Sequence, residues 1–240
     1  MITPSQSFQI FRYQRFRYRI PGYGVGPMLF QYVAHGLLVL ALAGAQLTLA
    51  AEPLRVLALG DSLTAGYGLA AEDSFPAKLE AVLKVEGYEV SVINGGVSGD
   101  TTAGGRARLD WALADEPDLV IVALGANDGL RAVDPKVTRE NLAAILERLQ
   151  SEGLPVLLAG MYAPPNLGKE YGDAFNAIYP ELAKRYGAVL YPFFLEGVAA
   201  DPTLNQADGI HPNPSGMDVI VEGILPYLRP LIEGLSKQAD

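Results

Sequence analysis

The sequence predicts an α/β protein, a parallel sheet with helices on both faces. Short apolar runs alternate with amphipathic stretches from residue 52 onward, and alternation of that kind builds a parallel sheet covered by its crossover helices. The runs are almost continuously apolar, as strands buried on both faces must be. The Gly-, Ser- and Asn-rich segments fall directly after the runs. That is the sheet edge where open α/β folds place their ligands.

The first strand is Leu54–Leu59, apolar except for Arg55. Gly60 and Asp61 turn the chain, and Ser62 opens the next segment, with Gly66 and Gly68 loosening the turn after it. A helix N-terminus near Ser62 would favour an alkoxide or oxyanion there. A helix over Ser74–Glu86 carries Phe75, Leu79, Val82 and Leu83 near a 3.6 period and ends at Gly87. Tyr88–Ile93 is the second strand, and Asn94–Gly105, NGGVSGDTTAGG, reads as a loop. A helix over Arg106–Asp115 is closed by Pro117. Leu119–Leu124 is the third strand, followed by Gly125-Ala126-Asn127-Asp128-Gly129. An amphipathic helix spans Val137–Gln150, a fourth strand Leu154–Gly160 and a proline-rich loop Met161–Gly168. A helix over Gly172–Tyr186 leads to a short fifth strand, Ala188–Tyr191. After an irregular stretch, Asp208–Pro212 forms a tight turn and Pro214–Leu235 a final helix. No composition break marks a second domain, so residues 52–240 form one.

Residues 1–51 differ in kind. They hold no acid and four arginines, Arg12, Arg15, Arg17 and Arg19, ahead of the apolar run GLLVLALAGAQLTL from Gly36 to Leu49. Ala50 and Ala51 then lead into Glu52-Pro53. A positive start, an apolar middle and a small-residue exit make a secretory signal, so the domain is expected in the periplasm or outside the cell. The alternatives are an uncleaved anchor, or a true start at Met28. Without the leader, 14 basic residues face 27 acidic ones, a net charge of −13 instead of −9. That balance leaves nothing basic to track a phosphate backbone, and nucleic acid is not an expected partner. The absence of cysteine excludes disulfides and thiolate metal sites. With only two histidines, His35 in the leader and His211, a His-rich metal site is excluded as well.

The polar loops after the strands hold Ser62, then Ser98, Gly99 and Asp100, then Asn127, and finally Asp208 and His211. A serine hydroxyl is a poor nucleophile until a base takes its proton. His211 is the one imidazole left for that work, and Asp208, across a turn through Gly209, can accept its Nδ1–H and fix the tautomer. An oxyanion needs preorganised donors. The Gly99 N–H can approach closely, and the Ser62 N–H and Asn127 amide could complete the hole. Each residue also has a plainer use. Ser62 could cap a helix with Asp61 in the turn, Asn-Asp-Gly is an ordinary turn, and His211 could be a surface residue. Against this, all the required chemical types fall on one expected sheet edge.

These residues carry a resemblance. Gly60-Asp61-Ser62-Leu63 resembles the first block of the GDSL, or SGNH, hydrolases. Ser62, Gly99, Asn127 and His211 match the four letters in order, and Asp208-Gly209-Ile210-His211-Pro212 resembles the last block. VSGDTTAGGRARL, LGANDGLR and YGDAFNAIYPELA are similar to the family's bacterial periplasmic branch of arylesterases, thioesterases and lysophospholipases. The likeness covers residues 54–235. It implies a three-layer αβα sandwich with a five-stranded parallel, flavodoxin-like sheet. The implied activity is a serine esterase acting on aryl esters, acyl thioesters or lysophospholipids, without a cofactor, as a monomer in transient contact with lipid substrates. Two positions depart from the branch. Ala126 stands where a second glycine is common, and Gly95-Gly96 where Ala-Ser is frequent.

Other classes fit less well. A dinucleotide binder wants G-x-G-x-x-G after the first strand and an acid ending the second, where this chain has Gly60-Asp61-Ser62 and Asn94. The nucleophile elbow G-x-S-x-G fails at Thr64. A non-catalytic binding protein would have no reason to keep Ser62, Asp208 and His211 together. A carbohydrate O-deacetylase with the same triad is the main alternative. Substrate contacts are expected from Gly129–Val133 and Tyr162–Gly168, through Leu130, Val133, Tyr162, Ala163, Pro164, Pro165 and Leu167. These are mostly apolar and suit an acyl chain or aryl group better than a sugar.

Overall fold

The computed structural model describes residues 52–239, so the expected leader, with His35 and Met28, lies outside the described residues. Five strands, β1 (Leu54–Gly60), β2 (Val90–Gly96), β3 (Leu119–Ala123), β4 (Val156–Ala159) and β5 (Val189–Tyr191), form one sheet in the order β2-β1-β3-β4-β5. Every pairing is parallel. The nine helices of the described residues are α1 (Ser62–Ala65), α2 (Phe75–Val85), α3 (Thr102–Ala107), α4 (Leu109–Leu113), α5 (Ala126–Leu130), α6 (Pro135–Ser151), α7 (Lys169–Asn176), α8 (Ile178–Tyr186) and α9 (Pro214–Ala239). Helix α9 packs on α2 and β5, while α6 packs on α3, α7 and α8, so helices flank the sheet.

The core follows from the apolar runs. Val56 to Leu59 in β1 and all of β3 are buried at consecutive positions, which requires cover on both faces. Helix α6 buries Leu142, Ile145, Leu146 and Leu149, one stripe at helical spacing. Helix α2 buries Phe75, Leu79 and Leu83 in the same way. Burying one such side chain stabilises the fold by about 1.5–3 kcal/mol, so the sheet is a rigid base for the loops at its edge. No helix among the described residues is long and apolar enough to cross a membrane.

The chain leaves β1 to form β2 on one side and returns to place β3 on the other, so the strand order reverses between β1 and β3. The loops after those two strands carry Ser62 and Asn127, and a crevice opens at such a switch point.

Several boundaries differ from the sequence reading. Gly95 and Gly96 belong to β2 and not to a loop. A Cβ on Gly95 would press into the Ala58 carbonyl, and one on Gly96 would collide with the Ala65 backbone. The expected helix over 106–115 begins at Thr102, because the Thr101 hydroxyl accepts from the Gly104 N–H and caps it. It breaks at Arg108, whose φ of −104° and ψ of 6° leave the helical region. The expected helix over 172–186 begins at Lys169 and divides at Ala177. Pro180 has no N–H to continue the ladder across that point. The Asn127 segment, open to reading as a turn, is the short helix α5, entered through Gly125 at φ 117°.

Candidate active site

The site grows from the end of β1. Asp61 is the N-cap of α1, its Oδ1 accepting from the Leu63 N–H at 3.0 Å. Ser62 is therefore the first residue inside the helix, not its cap. One turn is too short for a macrodipole of any size, and what α1 supplies is an unpaired first-turn amide beside the Ser62 hydroxyl. His211 comes from the far end of the chain, and its Nε2 lies 2.9 Å from Ser62 Oγ. Its Nδ1 lies 2.7 Å from Asp208 Oδ2. The other Asp208 oxygen accepts from the Ile210 and His211 N–H groups, each at 3.0 Å. The hydrogen bond from Ile210, then the contact with the His211 ring, hold the Asp208 carboxyl down to about pKa 2. It therefore stays ionised and can fix the imidazole with Nδ1 protonated, leaving Nε2 free to accept from the serine.

The turn bearing His211 is braced. Gln206 donates from its backbone N–H to the His211 carbonyl at 2.7 Å. Its side-chain Nε2 donates to the Pro212 carbonyl at 2.9 Å and to the Tyr67 carbonyl at 2.7 Å. The Tyr67 ring lies against the imidazole, with centroids 4.7 Å apart.

Ser62 and Gly99, both in the lining of one cavity, carry amides without partners. Among the described residues, neither the Ser62 nor the Gly99 N–H donates a hydrogen bond. Gly99 has φ 84°, a left-handed conformation that costs glycine little. Its carbonyl is held by Arg131 Nη2 at 2.9 Å. The next residue, Asp100, accepts from Arg108 Nε at 2.6 Å, and Arg108 Nη2 donates to the Gly60 carbonyl at 2.8 Å. Arg108 thus ties the Gly99 loop to the end of β1.

The Asn127 side chain faces the same space. Its Nδ2 donates to the Asp100 carbonyl at 2.9 Å and, at a longer 3.3 Å, to Asp61 Oδ2. An arriving oxyanion would compete for the proton in the longer bond. Asp61 is fully buried, and desolvation is the first cause that pushes its carboxyl up to about pKa 6. Asp128, the neighbour of Asn127, is no turn acid. It is buried and accepts from the Thr102 N–H at 2.8 Å, the Thr102 hydroxyl at 2.5 Å and the Thr138 hydroxyl at 3.2 Å. Those bonds lock α5 to α3 and α6, and nothing in the bare sequence marked Asp128 for this work.

A cavity of about 370 Å³ gathers Ser62, Gly99, Asn127, Leu130, Tyr162, Pro164 and His211 in its lining, while Asp208 sits behind the imidazole. Val133, Ala163, Pro165 and Leu167 are not part of the lining. The Val133 carbonyl instead accepts from the Tyr171 hydroxyl at 2.7 Å, and Leu167 borders a separate groove between α6 and α7. The sequence reading passed over Tyr67, Met161, Phe193, Leu195, Ala200 and Ile210, all of which line the cavity. Phe193 stacks on Tyr162 at 4.4 Å. The signal that could have found Phe193 and Leu195 is their place directly after β5, on the edge that carries every other loop. No cluster of three or more His, Cys, Asp or Glu side chains among the described residues is placed to hold a metal ion.

A model of the GDSL-like lipase/acylhydrolase family matches residues 58–219. The chain is 45% identical over 175 residues to an arylesterase of Vibrio mimicus, covering 72% of this chain and 88% of that protein. It is 41% identical over 178 residues to thioesterase 1/protease 1/lysophospholipase L1 of Escherichia coli strain K12, covering 74% of this chain and 84% of that protein. The crystal structure of TesA matches with a TM-score of 0.71 at 43% identity, over 74% of this chain and 99% of that one. With the five-stranded parallel sheet and a family match over most of its length, the chain belongs to the GDSL-like lipase/acylhydrolase family.

Proposed function

We propose that this protein is a serine hydrolase of carboxylic esters and thioesters that works through an acyl-enzyme on Ser62. The observation that carries the reading is the unbroken chain from Ser62 Oγ to His211 Nε2 at 2.9 Å and from His211 Nδ1 to Asp208 Oδ2 at 2.7 Å. His211 takes the hydroxyl proton as Ser62 attacks the carbonyl carbon, and Asp208 stabilises the imidazolium. The Ser62 and Gly99 amides and the Asn127 side chain hold the oxyanion. His211 then protonates the leaving oxygen or sulfur, the acyl-enzyme forms, and water attacks it by the same route in reverse.

The cavity walls favour apolar acyl or aryl groups over sugars, since Leu130, Met161, Tyr162, Pro164 and Phe193 line the cavity that holds Ser62. The names of the relatives, an arylesterase and a thioesterase/lysophospholipase, point the same way. The arginine-bearing, apolar leader fits export of the domain to the periplasm. The test is a substrate panel of aryl esters, acyl thioesters, lysophospholipids and acetylated sugars. Rates should rise with acyl length, each buried CH₂ adding up to about 0.8 kcal/mol, until the cavity is filled. Turnover confined to acetylated sugars would replace this reading with the O-deacetylase.

A further inference from the structure

Among the described residues, Tyr67 and Ile210 are both large hydrophobic side chains with about half of their surface exposed, 53% and 48%. Both line the catalytic cavity, and both adjoin His211, Tyr67 by ring contact at 4.7 Å and Ile210 by sequence. Tyr67 does not sit there by chance of a loose loop. Gly66 and Gly68 on either side of it are left-handed, at φ 79° and 74°. Its N–H donates to the Ser62 carbonyl at 3.1 Å, and its carbonyl is tied through Gln206 to the His211 turn. Its hydroxyl makes no hydrogen bond among the described residues, so the ring is fixed at its base and open to solvent on its outer face.

The chemistry of the proposed reaction says what that face meets. In acylation the Ser62 Oγ–carbon bond forms and the bond from carbon to the leaving oxygen or sulfur breaks. The serine proton passes through His211 Nε2 to that leaving atom. The leaving atom must therefore come within hydrogen-bond reach of Nε2, while the oxyanion takes the Ser62 and Gly99 amides and the Asn127 side chain as its donors. The group attached to the leaving atom is thereby carried to the His211 side of the cavity, where Tyr67 and Ile210 are exposed. We propose that Tyr67 and Ile210 form the leaving-group subsite and select aryl and other apolar alcohols or thiols over small polar ones. This rests on the serine mechanism proposed above.

The test uses two esters of one acid, phenyl butyrate and methyl butyrate, which give the same acyl-enzyme and differ only in the group that leaves. Comparing each variant with the wild type on each ester cancels the greater intrinsic reactivity of the phenyl ester. Tyr67→Ala should lower kcat/KM for phenyl butyrate about 2- to 12-fold more than for methyl butyrate, the size of one aromatic contact. Ile210→Ala should shift the same ratio in the same direction, and Tyr67→Phe should leave it near the wild-type value. Equal losses on both esters would overturn the subsite and make Tyr67 a support for His211 alone. An unchanged ratio in both alanine variants would overturn it too. Labelling of wild-type Ser62 by a fluorophosphonate, whose leaving group is only fluoride, separates the two failures. If Ser62 is labelled while the ester ratio does not move, the subsite falls and the serine mechanism stands. If Ser62 is never labelled, both fall.

Discussion

Replacing Asp61 by asparagine should change stability in a pH-dependent way. Burial raises the Asp61 pKa from its ordinary 3.8 to about 6. The folded protein then holds this proton more tightly than the unfolded chain does. Unfolding releases it between about pH 4 and 6, so stability falls as pH rises through that window. Above the window the fold carries the whole cost of a buried charge, which for a rise of this size is about 3 kcal/mol. That net cost already includes what the carboxylate accepts, the Leu63 N–H and the Asn127 amide, which offset desolvation only in part. Asp61→Asn keeps an acceptor for Leu63 and removes the charge. The stability of Asp61→Asn minus that of the wild type should therefore be more favourable at pH 8 than at pH 4, by up to about 3 kcal/mol. Urea unfolding at the two pH values gives the number, and other titrating groups cancel in the comparison. The same change should lower kcat, because the new side-chain amide would present a donor to the Asn127 Nδ2 that now donates to Asp61. Equal stability differences at pH 4 and pH 8 would refute the reasoning, since they would mean that Asp61 titrates like an exposed carboxylate.

Asn127→Ala should lower kcat by about 10²–10³, the usual loss for one oxyanion donor, with KM little changed in steady-state assays. Ser62→Ala and His211→Ala should each nearly abolish turnover, and the double variant should be little worse because the two groups act as a unit. Asp208→Ala should retain more activity than either, since its carboxylate is partly open to solvent that can replace some of the orientation it gives. N-terminal sequencing of exported protein should begin near Ala51 or Glu52, and an intact Met1 there would contradict a cleaved leader.

Much of this site was legible in the chain because chemistry and topology pointed to the same residues. The alternation of apolar and amphipathic segments demanded a parallel sheet. That sheet put Ser62, Gly99, Asn127 and His211 on one edge before any distance was known. What escaped the sequence depends on contacts between distant segments. Gly95 and Gly96 look like loop residues, yet they are strand residues kept small by the Ala58 and Ala65 backbones. Asp128 looks like part of an Asn-Asp-Gly turn until Thr102 and Thr138 are seen around its carboxylate. The wall formed by Phe193 and Leu195 lies in a stretch without periodicity, and only its position after β5 connects it to the cavity. Tyr67 is an unremarked aromatic between two glycines until Gln206 is found bridging it to the His211 turn.

The central claim is that Ser62 is the nucleophile, and a fluorophosphonate tests it most directly. Ser98 lines the same cavity and is the rival hydroxyl, but the His211 Nε2 at 2.9 Å from Ser62 Oγ singles out Ser62 for activation. Peptide mass spectrometry after reaction should place the phosphonyl adduct on Ser62, and the adduct should be absent from Ser62→Ala. An adduct on Ser98, or full esterase activity in Ser62→Ala, would contradict the account.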